Sequence, residues 1–492
     1  MNWIIWIMAA SLSSAALKTL HNSLDPKSVT EQLAFYRLYP ETQEGHKALS
    51  HAWTLLGTHG QTPIDLPEFD IQPLIAFVNR QPFDPQPEIS EDTLCLIEQI
   101  GSTLQHRTLR GHQIWNIEDL YSLTSEEIDL ARALLLYQFE NRREIQSYEA
   151  NIDLMALQIA ARLKKNANHQ DKVRAISDFI FLDMGFRFPP HSLWSDDVDV
   201  YTILPSIMDS RQGVCLGVSI LYLSLAQRLG LPLEIVTPPG HIYIRYREDE
   251  KNVINIETTA RGIHVPCKQY KGINTHTLHE RTLKEVIGLS FMNQAAVCWH
   301  REDYTRAIDL YEKAIPYLPG DALLNTFLGI NYLFVGQTAK GIELLKTAGP
   351  VPGSINGQTF IEDYLAGHVD TEGIKAIFMS VNETRTSIQN KQARLQKIIK
   401  NYPKFRDGWL HLAITHIQLG HAKLAVDTLE KCHQLDPGQA SIEYYLAQLK
   451  MQRMCFKDAW KHLILAEKIT GNYQPLALKQ LRHMLRILYP TG

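Results

Sequence analysis

The spacing of apolar and polar positions changes along the chain. From about residue 146, apolar residues recur at helical spacing, which predicts helices over 150–164 and 171–183. A longer apolar stretch, RQGVCLGVSILYLSLAQRLGLP at 211–232, predicts a buried helix that ends at Gly230 and Pro232. The period then becomes two, because LEIVTPPG, HIYIRYRE and NVINIETT alternate or run apolar. Helices followed by adjacent strands predict an α+β domain with an antiparallel sheet over 146–275.

From about residue 288 the pattern repeats. Three small residues are each followed twelve positions later by alanine: Ala295 and Ala307, Ala413 and Ala425, Ala447 and Ala459. Ala425 and Ala459 lie 34 positions apart, and the pattern resembles the tetratricopeptide repeat, a helix–turn–helix unit of about 34 residues. A further copy has Gly329 and Gly341 in the same places, and a degenerate copy runs over about 372–405. We expect an all-α solenoid of about five repeats over 288–475, with an insertion near 356–371.

The region 21–145 shows helical periods interrupted by two proline-rich segments. These segments, TPIDLPEFDIQP and QPFDPQPEIS, predict loops or linkers. The stretch SEEIDLARALLLYQFENRR predicts one helix with Ser125 as its cap. We therefore expect a mostly helical N-terminal region, and nothing in it carries recognisable chemistry.

The first part of the chain, 1–20, allows two interpretations. An apolar run from Trp3 to Ala10, followed by small residues around Ser14, suits a signal peptide over residues 1–16 and an exported protein. The same segment has no Lys or Arg before the apolar run, and the run is too short to span a bilayer. These two facts favour an apolar N-terminal helix and a cytoplasmic protein. No later segment is long and charge-free enough to predict a transmembrane span.

Length, charge and cysteine content narrow the class of protein. A chain of 492 residues is too long for one ordinary core, so several domains are expected. The net charge of −4 argues against a nucleic-acid partner. Six cysteines are scattered without a CxxC pair or a Cys/His cluster at ligand spacing. The sequence therefore predicts no metal site, no cofactor and no disulfide framework.

One cysteine, Cys215, stands near the beginning of the apolar helix. Such a thiol is either a small core side chain or a reactive group, since unpaired N–H groups at a helix start favour the thiolate. The decision depends on whether a histidine and an acid can reach it. Nearby, Gly213 and Gly217 are expected to relieve crowding around the helix start. The arginines near these motifs, Arg211, Arg245 and Arg261, are expected to be ordinary surface charges.

A histidine and an acid are placed on adjacent predicted strands. His241 follows the Pro238–Gly240 corner, and Glu257 lies on the next strand. If the turn between the strands centres on residue 249 or 250, paired residue numbers sum to 498–500, and His241 lies opposite a residue between 257 and 259. Opposed residues share a face, so Glu257 is expected to orient His241 as the acid does in a nucleophile–base–acid triad. A slip of one residue would turn Glu257 to the other face.

The same segments resemble a known family. RQGVCLGVSILYLSLAQRLGLP, PPGHIYIRY and NIETTARG are similar to the transglutaminase-like (papain-like) core, specifically its bacterial SirB1-type branch, in which tetratricopeptide repeats follow the core. The resemblance covers 146–275, and the repeats match its usual continuation. It implies Cys215 as nucleophile, His241 as general base and acid, and Glu257 where the family more often has Asp. Glutamate is one methylene longer, which departs from the family's pattern.

Two functions from different classes follow. In the first, a cysteine-dependent amide hydrolase or acyl transferase (a protease, deamidase or transglutaminase-like enzyme) acts on a protein substrate held by the repeats. In the alternative, the chain is a catalytically inactive scaffold for protein–protein interaction, and the Cys, His and Glu side chains are retained for packing. Both include a protein or peptide partner in the repeat groove. The oligomeric state stays open, and the reactivity of the thiol distinguishes the two functions.

Overall fold

The computed structural model describes residues 13–57, 72–189, 201–349, 359–382 and 384–490. They form two compact units. The first unit comprises the described residues of Met1–Arg187 together with Ile203–Gly213 and Gly217–Leu233, and the second comprises those of Phe188–Thr202, Val214–Leu216 and Glu234–Gly492. The apolar run at residues 3–10 and most of the TPIDLPEFDIQP segment lie outside the described residues.

The described part of the first unit is mostly helical. Several helices begin after a side chain that accepts an N–H of the first turn, as Ser28, Ser90 and Asn168 do. The α-helices before the sheet are α1 (Ser14–Asn22), α2 (Val29–Leu38), α3 (Gln43–Gly57), α4 (Gln72–Val78), α5 (Glu91–Ile100), α6 (Ile117–Leu120), α7 (Leu130–Leu136), α8 (Arg142–Arg162), α9 (His169–Asp178), α10 (Leu204–Ser210) and α11 (Cys215–Arg228). The chain over 81–90 is irregular, as its prolines predict.

The single helix expected from Ser125 is wrong. Thr124 caps a short 3-10 turn, and Asp129 then caps α7 by accepting the N–H of Arg132. The chain leaves the helix after Leu136, and Asn141 caps α8 as a new helix. Side chains that bond to nearby backbone N–H groups therefore divide this stretch into separate elements, although its apolar spacing alone predicts one helix.

Helix α8 carries acidic side chains into the core of the first unit. Asp153 is fully buried and accepts hydrogen bonds from Arg228 Nε and Arg107 Nη2, each at 2.6 Å. Both oxygens of Glu149 accept from Arg132 at 2.6 Å. We call these five residues the buried ion network. Burial alone would raise the pKa of Asp153, but the charges of Arg228 and Arg107 hold that pKa below its usual range.

The second unit contains a four-stranded antiparallel sheet. Its strands are β1 (Glu234–Thr237), β2 (Tyr243–Arg247), β3 (Val253–Ile256) and β4 (His279–Arg281), in the order β3-β2-β1-β4. Ile244 pairs with Ile256 and Arg247 with Val253, so paired residue numbers sum to 500. The predicted antiparallel sheet and the predicted register are confirmed. Strand β4 was not predicted, because its three residues carry no alternating pattern.

Consecutive helices pack in pairs after the sheet. The helices are α12 (Leu283–His300), α13 (Tyr304–Ala314), α14 (Ala322–Phe334), α15 (Thr338–Thr347), α16 (Thr359–Leu365), α17 (Thr371–Phe378), α18 (Arg385–Asn401), α19 (Arg406–Gln418), α20 (Ala422–Leu435), α21 (Ala440–Gln452), α22 (Phe456–Thr470) and α23 (Leu476–Leu488). The pairs are α12 with α13, α14 with α15, α17 with α18, α19 with α20 and α21 with α22. This confirms the all-α repeat architecture. Within the stretch expected as an insertion, α16 forms a helix whose Asp363 accepts the N–H of Arg406.

The small residues of the repeat pattern lie where helices approach each other. The six alanines of the pattern are all 0% exposed: Ala295, Ala307, Ala413, Ala425, Ala447 and Ala459. A Cβ on Gly341 would lie 2.8 Å from the carbonyl oxygen of Gly329, a contact that requires glycine. Close approach therefore explains the small side chains. Among the described residues, no helix is long and apolar enough to cross a bilayer.

Candidate active site

Cys215 is the first residue of α11 and is half-buried. It lies in the second unit, together with His241 and Glu257. Its carbonyl oxygen accepts a hydrogen bond from Thr258 Oγ1 at 3.3 Å, which ties the residue beside Glu257 to the helix start. As a first-turn residue, Cys215 has a backbone N–H without an intrahelical acceptor. The helix dipole there favours a negative charge on the thiol.

Gly213 precedes the helix at a crowded place. A Cβ on Gly213 would lie 2.8 Å from Cγ2 of Val218, so a larger residue would require a shift. The expectation that this glycine relieves crowding is confirmed.

A turn holds His241 in front of the sheet. The backbone N–H of His241 donates to Pro238 O at 3.1 Å, and Gly240 adopts φ +70°, which suits glycine. The expectation that His241 opens the strand is wrong by two residues, because β2 begins at Tyr243. The proline–glycine corner delays strand pairing, so the imidazole stands free of the ladder and 27% of its side chain is exposed.

Glu257 reaches His241 from the end of β3. Glu257 Oε2 lies 2.7 Å from His241 Nε2. The register of β2 and β3 would place His241 opposite residue 259. The chain turns at Glu257 instead, where its N–H donates to Ile263 O and its side chain caps Thr258–Ala260. The expected contact therefore exists, through a diagonal approach rather than a directly opposed pair. The extra methylene of glutamate spans that diagonal.

The carboxylate of Glu257 is fully engaged. Its Oε1 accepts from Thr259 N at 3.2 Å and from Thr259 Oγ1 at 2.6 Å. Its Oε2 accepts from Tyr270 OH at 2.6 Å as well as from His241. Burial would raise the pKa of Glu257, but the hydrogen bonds from His241, Thr259 and Tyr270 lower the pKa to about 2. Glu257 is therefore a fixed negative charge at neutral pH.

His241 is hydrogen-bonded to Glu257, and its surroundings change its pKa. Burial would lower its pKa, but hydrogen bonds to Cys215 and Glu257, and the negative charges of both, raise the pKa of His241 to about 10. The nitrogen that contacts Glu257 is Nε2. The structure thus brings the three predicted residues together: His241 is hydrogen-bonded to Glu257, and Cys215 lines the same cavity as His241.

Tyr270 belongs to this site and was missed by the sequence interpretation. Besides donating to Glu257, its ring stacks near His241 at a centroid distance of 5.9 Å and on Tyr243 at 4.3 Å. Both packing and hydrogen bonding therefore limit the movement of the imidazole. Tyr270 follows a short 3-10 turn, Cys267–Gln269, in an irregular segment. No periodic pattern there could have indicated its role.

A cavity of about 560 Å³ opens in front of Cys215 and His241. Its lining includes the corner Thr237–Ile242 and residues of α12 and α14, among them Met292, Ala296 and Phe327. This volume lies in the range typical of sites that bind small molecules or side chains. The thiol can therefore be reached by a substrate.

The arginines near the motifs differ from the expectation. Arg211 is half-buried, adopts φ +53° and donates to the carbonyl oxygens of Met184 and Arg80. Arg245 is 6% exposed and pairs with Glu234 and Glu280. The prediction of surface charges was wrong for these two residues, because the Arg211 guanidinium bonds to backbone carbonyl oxygens and the buried Arg245 guanidinium pairs with two carboxylates. Arg261 is exposed, as expected.

One group of side chains has the composition of a metal site. In the first unit, ligand atoms of His106, His112 and Asp129 all lie within 4.8 Å of one another. No pattern in the sequence indicated this group, because the three residues follow no ligand spacing. His112 Nδ1 already lies 3.0 Å from Asp129 Oδ2, and His106 Nε2 lies 3.3 Å from Asp153 Oδ1. Two of the three residues thus bond to each other, and the third contacts the buried ion network.

Comparison with known proteins identifies one family by sequence. The model of the transglutaminase-like superfamily matches residues 146–284, a range that includes β4. No curated protein sequence matches the chain.

Solved structures similar to part of this chain include two that are described as TPR proteins. YrrB, described as a TPR protein with an unusual peptide-binding site, is 13% identical and covers 40% of this chain and 92% of its own, with a TM-score of 0.22. A thermophilic TPR protein of Thermus thermophilus is 16% identical over 41% of this chain and 98% of its own, with a TM-score of 0.22. MamA is 18% identical over 36% of this chain and 93% of its own, with a TM-score of 0.20. From the family match and the observed helix pairs, the chain contains a transglutaminase-like domain at residues 146–284, followed by an all-α array of tetratricopeptide-like repeats.

Proposed function

We propose that this chain is a cysteine-dependent acyl transferase or amide hydrolase, with Cys215 as nucleophile, His241 as general base and acid, and Glu257 as the positioning acid. One observation carries the proposal. His241 is hydrogen-bonded to a fixed carboxylate, and Cys215 and His241 together line a cavity of about 560 Å³. A cysteine used only for packing needs neither a charged imidazole nor an opening.

The reaction begins with a thiolate beside the protonated imidazole of His241. The sulfur attacks an amide carbonyl carbon and forms a C–S bond, and the oxyanion is stabilised by donors that include the backbone N–H of Cys215. The C–N bond then breaks, and His241 gives its proton to the leaving amine. A thioester and neutral His241 remain. Water completes a hydrolysis, or an amine completes a transfer, as His241 takes up the proton again.

Glu257 keeps the imidazole in the orientation that this cycle requires. Its four hydrogen bonds fix the carboxylate, and the carboxylate in turn fixes Nε2 of His241. A buried carboxylate in this place also stabilises the imidazolium by charge. The order of motifs and the repeats that follow support assignment to the bacterial SirB1-type branch. Arrays of helix pairs commonly bind peptides, so the repeats are assigned to a protein or peptide partner.

The test measures how fast iodoacetamide alkylates each cysteine of the native protein at pH 6. Mass spectrometry quantifies the label at each cysteine. Cys455 is exposed and serves as an internal reference for an ordinary thiol. We expect Cys215 to react faster than Cys455, because a free thiol is almost fully protonated at this pH. In His241→Ala, the rate at Cys215 should fall about tenfold or more.

A histidine replaced elsewhere provides the control. His483 is exposed on α23, and His483→Ala should leave the rate at Cys215 unchanged. If Cys215 reacts no faster than Cys455, or if His241→Ala leaves its rate unchanged, the thiol is a packing group and the chain is an inactive scaffold.

A further inference from the structure

The cavity in front of Cys215 has walls from two parts of the second unit. The thiol, His241 and the proline–glycine corner form one wall. A second wall belongs to the first two helix pairs of the repeat array, with Met292 and Ala296 of α12 and Phe327 of α14. The repeats therefore contribute directly to the site and are more than an independent docking module.

A buried ion pair fixes this wall to the sheet. Arg281 of β4 lies 2.6 Å from Asp321 and 3.0 Å from Glu285, and the Arg281 and Asp321 side chains are 7% and 6% exposed. The other oxygen of Asp321 accepts the N–H groups of Leu323 and Leu324 at the start of α14, each at 2.9 Å. These bonds within the protein fix the position of α14 relative to β4 without a bound substrate.

The charges at the cavity are already paired. Arg281 is neutralised by its two carboxylate partners, and Asp321 by Arg281 and the α14 N–H groups. His279, which also lines the cavity, has a lowered pKa because of its burial and the charge of Arg281, so it is neutral at pH 7. A charged substrate group would lose its water here without gaining a partner. An apolar group would instead gain from contact with Met292, Ala296 and Phe327.

We propose that α12 and α14 form the specificity wall of the thiol site, and that the acyl group carried by Cys215 bears a bulky, uncharged apolar side chain. The class of substrate is therefore a peptide or protein amide with an aliphatic or aromatic residue beside the scissile carbonyl. This inference rests on the proposed function, and it goes beyond it by assigning part of the substrate site to the repeats.

Maleimides of different chain length test the wall without a known substrate. The thiolate sulfur adds to the maleimide double bond, one C–S bond forms, and a proton is taken up on the neighbouring carbon. N-ethylmaleimide and N-hexylmaleimide share this chemistry and differ in apolar length. We expect the hexyl-to-ethyl ratio of rates at Cys215 to exceed the ratio at exposed Cys455 by at least about tenfold, because each buried methylene contributes to binding.

Variants of Ala296 address the wall directly. Ala296 is half-buried on α12, and Ala296→Glu places a carboxylate on the wall. In this variant the hexyl-to-ethyl ratio of rates at Cys215 should fall to about the ratio at Cys455. Ala339→Glu is the matched control, since Ala339 is exposed on α15. Ala296→Leu provides a second variant that retains the apolar surface but fills the space, and it should slow the hexyl reagent more than the ethyl reagent.

The outcomes separate this inference from the function on which it rests. If iodoacetamide labels Cys215 rapidly and in a His241-dependent manner, but the hexyl-to-ethyl ratio equals that of Cys455, the apolar wall is refuted and the enzyme assignment stands. Equal ratios in Ala296→Glu and the native chain would also refute the wall. If Cys215 is inert to iodoacetamide and to both maleimides, the proposed function and this inference fail together.

Discussion

Two clusters of charged side chains in this protein differ in their exposure to solvent. In the buried ion network, Asp153 and Arg228 are each 0% exposed, and both oxygens of Asp153 are bonded to arginine. In the thiol site, Glu257 is nearly buried at 7%, but His241 is 27% exposed and lies at a cavity together with Cys215. At Asp153 and Arg228 the first cluster is closed to solvent. The second has one side satisfied and one side accessible.

The difference shows how burial divides structural charges from reactive ones. The charges of Arg228 and Arg107 hold the pKa of Asp153 below its usual range, so Asp153 stays ionised at neutral pH and its ion pairs contribute to stability. His241 can give up its proton to a partner that enters the cavity, and Glu257 keeps it in position while it does so. The same two kinds of group, a carboxylate and a cationic donor, therefore stabilise the fold in one cluster and serve a reaction in the other.

The largest expected effect is a loss of stability when a charge is removed from the buried ion network. Asp153→Ala leaves Arg228 buried without its anionic partner, and removal of one member of a buried pair costs about 3 to 5 kcal/mol of the free energy of unfolding. Denaturation by urea, followed by circular dichroism, measures this loss.

An exposed ion pair supplies the contrast for Asp153. Glu372 is 57% exposed and pairs with Lys375 and Arg394, so Glu372→Ala should cost less than about 1 kcal/mol. Similar losses for the two variants would contradict the structural role of the buried ion network.

The next effect is on the proton of His241. Glu257→Gln keeps the shape of the side chain and removes its charge, so the pKa of His241 should fall from about 10 by about one to three units. An NMR titration of isotope-labelled histidine follows this pKa, and the signal is assigned by its loss in His241→Ala. An unchanged titration in Glu257→Gln would mean that the carboxylate does not hold the proton.

The same values give the pH range in which the His241–Glu257 pair stabilises the fold. The folded-state pKa of His241 is raised from 6.5 to about 10, so its contribution is complete below pH 6.5 and is lost as the pH rises through 10. The pKa of Glu257 is lowered from 4.5 to about 2, so its contribution is complete above pH 4.5 and is lost as the pH falls through 2. The difference in stability between the native chain and Glu257→Gln should therefore be largest between pH 4.5 and pH 6.5, where both contributions are complete.

A smaller effect is expected from Tyr270. Tyr270→Phe removes the hydrogen bond to Glu257 and retains the ring that stacks near His241. The pKa of His241 should change by less than about one unit, and alkylation of Cys215 should slow by about two- to fivefold because the carboxylate is less well fixed. Tyr270→Ala, which also removes the ring, should slow alkylation further. Equal rates in the native chain and both variants would remove Tyr270 from the site.

The predictions from sequence succeeded where the pattern was local or periodic. Alternation and the turn at residues 249–250 predicted the β2–β3 register, and this register brought Glu257 to the correct end of the sheet. The spacing of the repeat alanines predicted buried helix contacts, because only small side chains permit close packing. The apolar stretch at 211–232 predicted helix α11 with Cys215 near its beginning, and the structure makes Cys215 its first residue.

Other features depend on contacts between residues far apart in the chain. Arg228 meets Asp153 across 75 positions, and the pattern of either helix alone gives no indication of the pair. Tyr270 and β4 lie in a stretch without periodicity, and tertiary contacts place both of them. The wall of the cavity combines α12 and α14 with the Cys215 helix start, which no local pattern could reveal.

The smallest expected effect concerns the loop that borders the cavity. Tyr473, which follows α22, donates its hydroxyl to Thr275 O at 2.8 Å and approaches Gly272 O at 3.1 Å, and its ring contacts His276. Tyr473→Phe keeps the ring contact and removes the hydroxyl, so stability should fall by only about 1 kcal/mol, the usual contribution of a neutral hydrogen bond. Amide hydrogen exchange should become faster at Thr275, whose N–H donates to Gly272 O within this loop. Exchange at the β2–β3 ladder should remain unchanged, because its hydrogen bonds lie within the sheet. Unchanged exchange at Thr275 would show that the loop holds its shape without Tyr473, and that the last repeat helices do not support the accessible side of the thiol site.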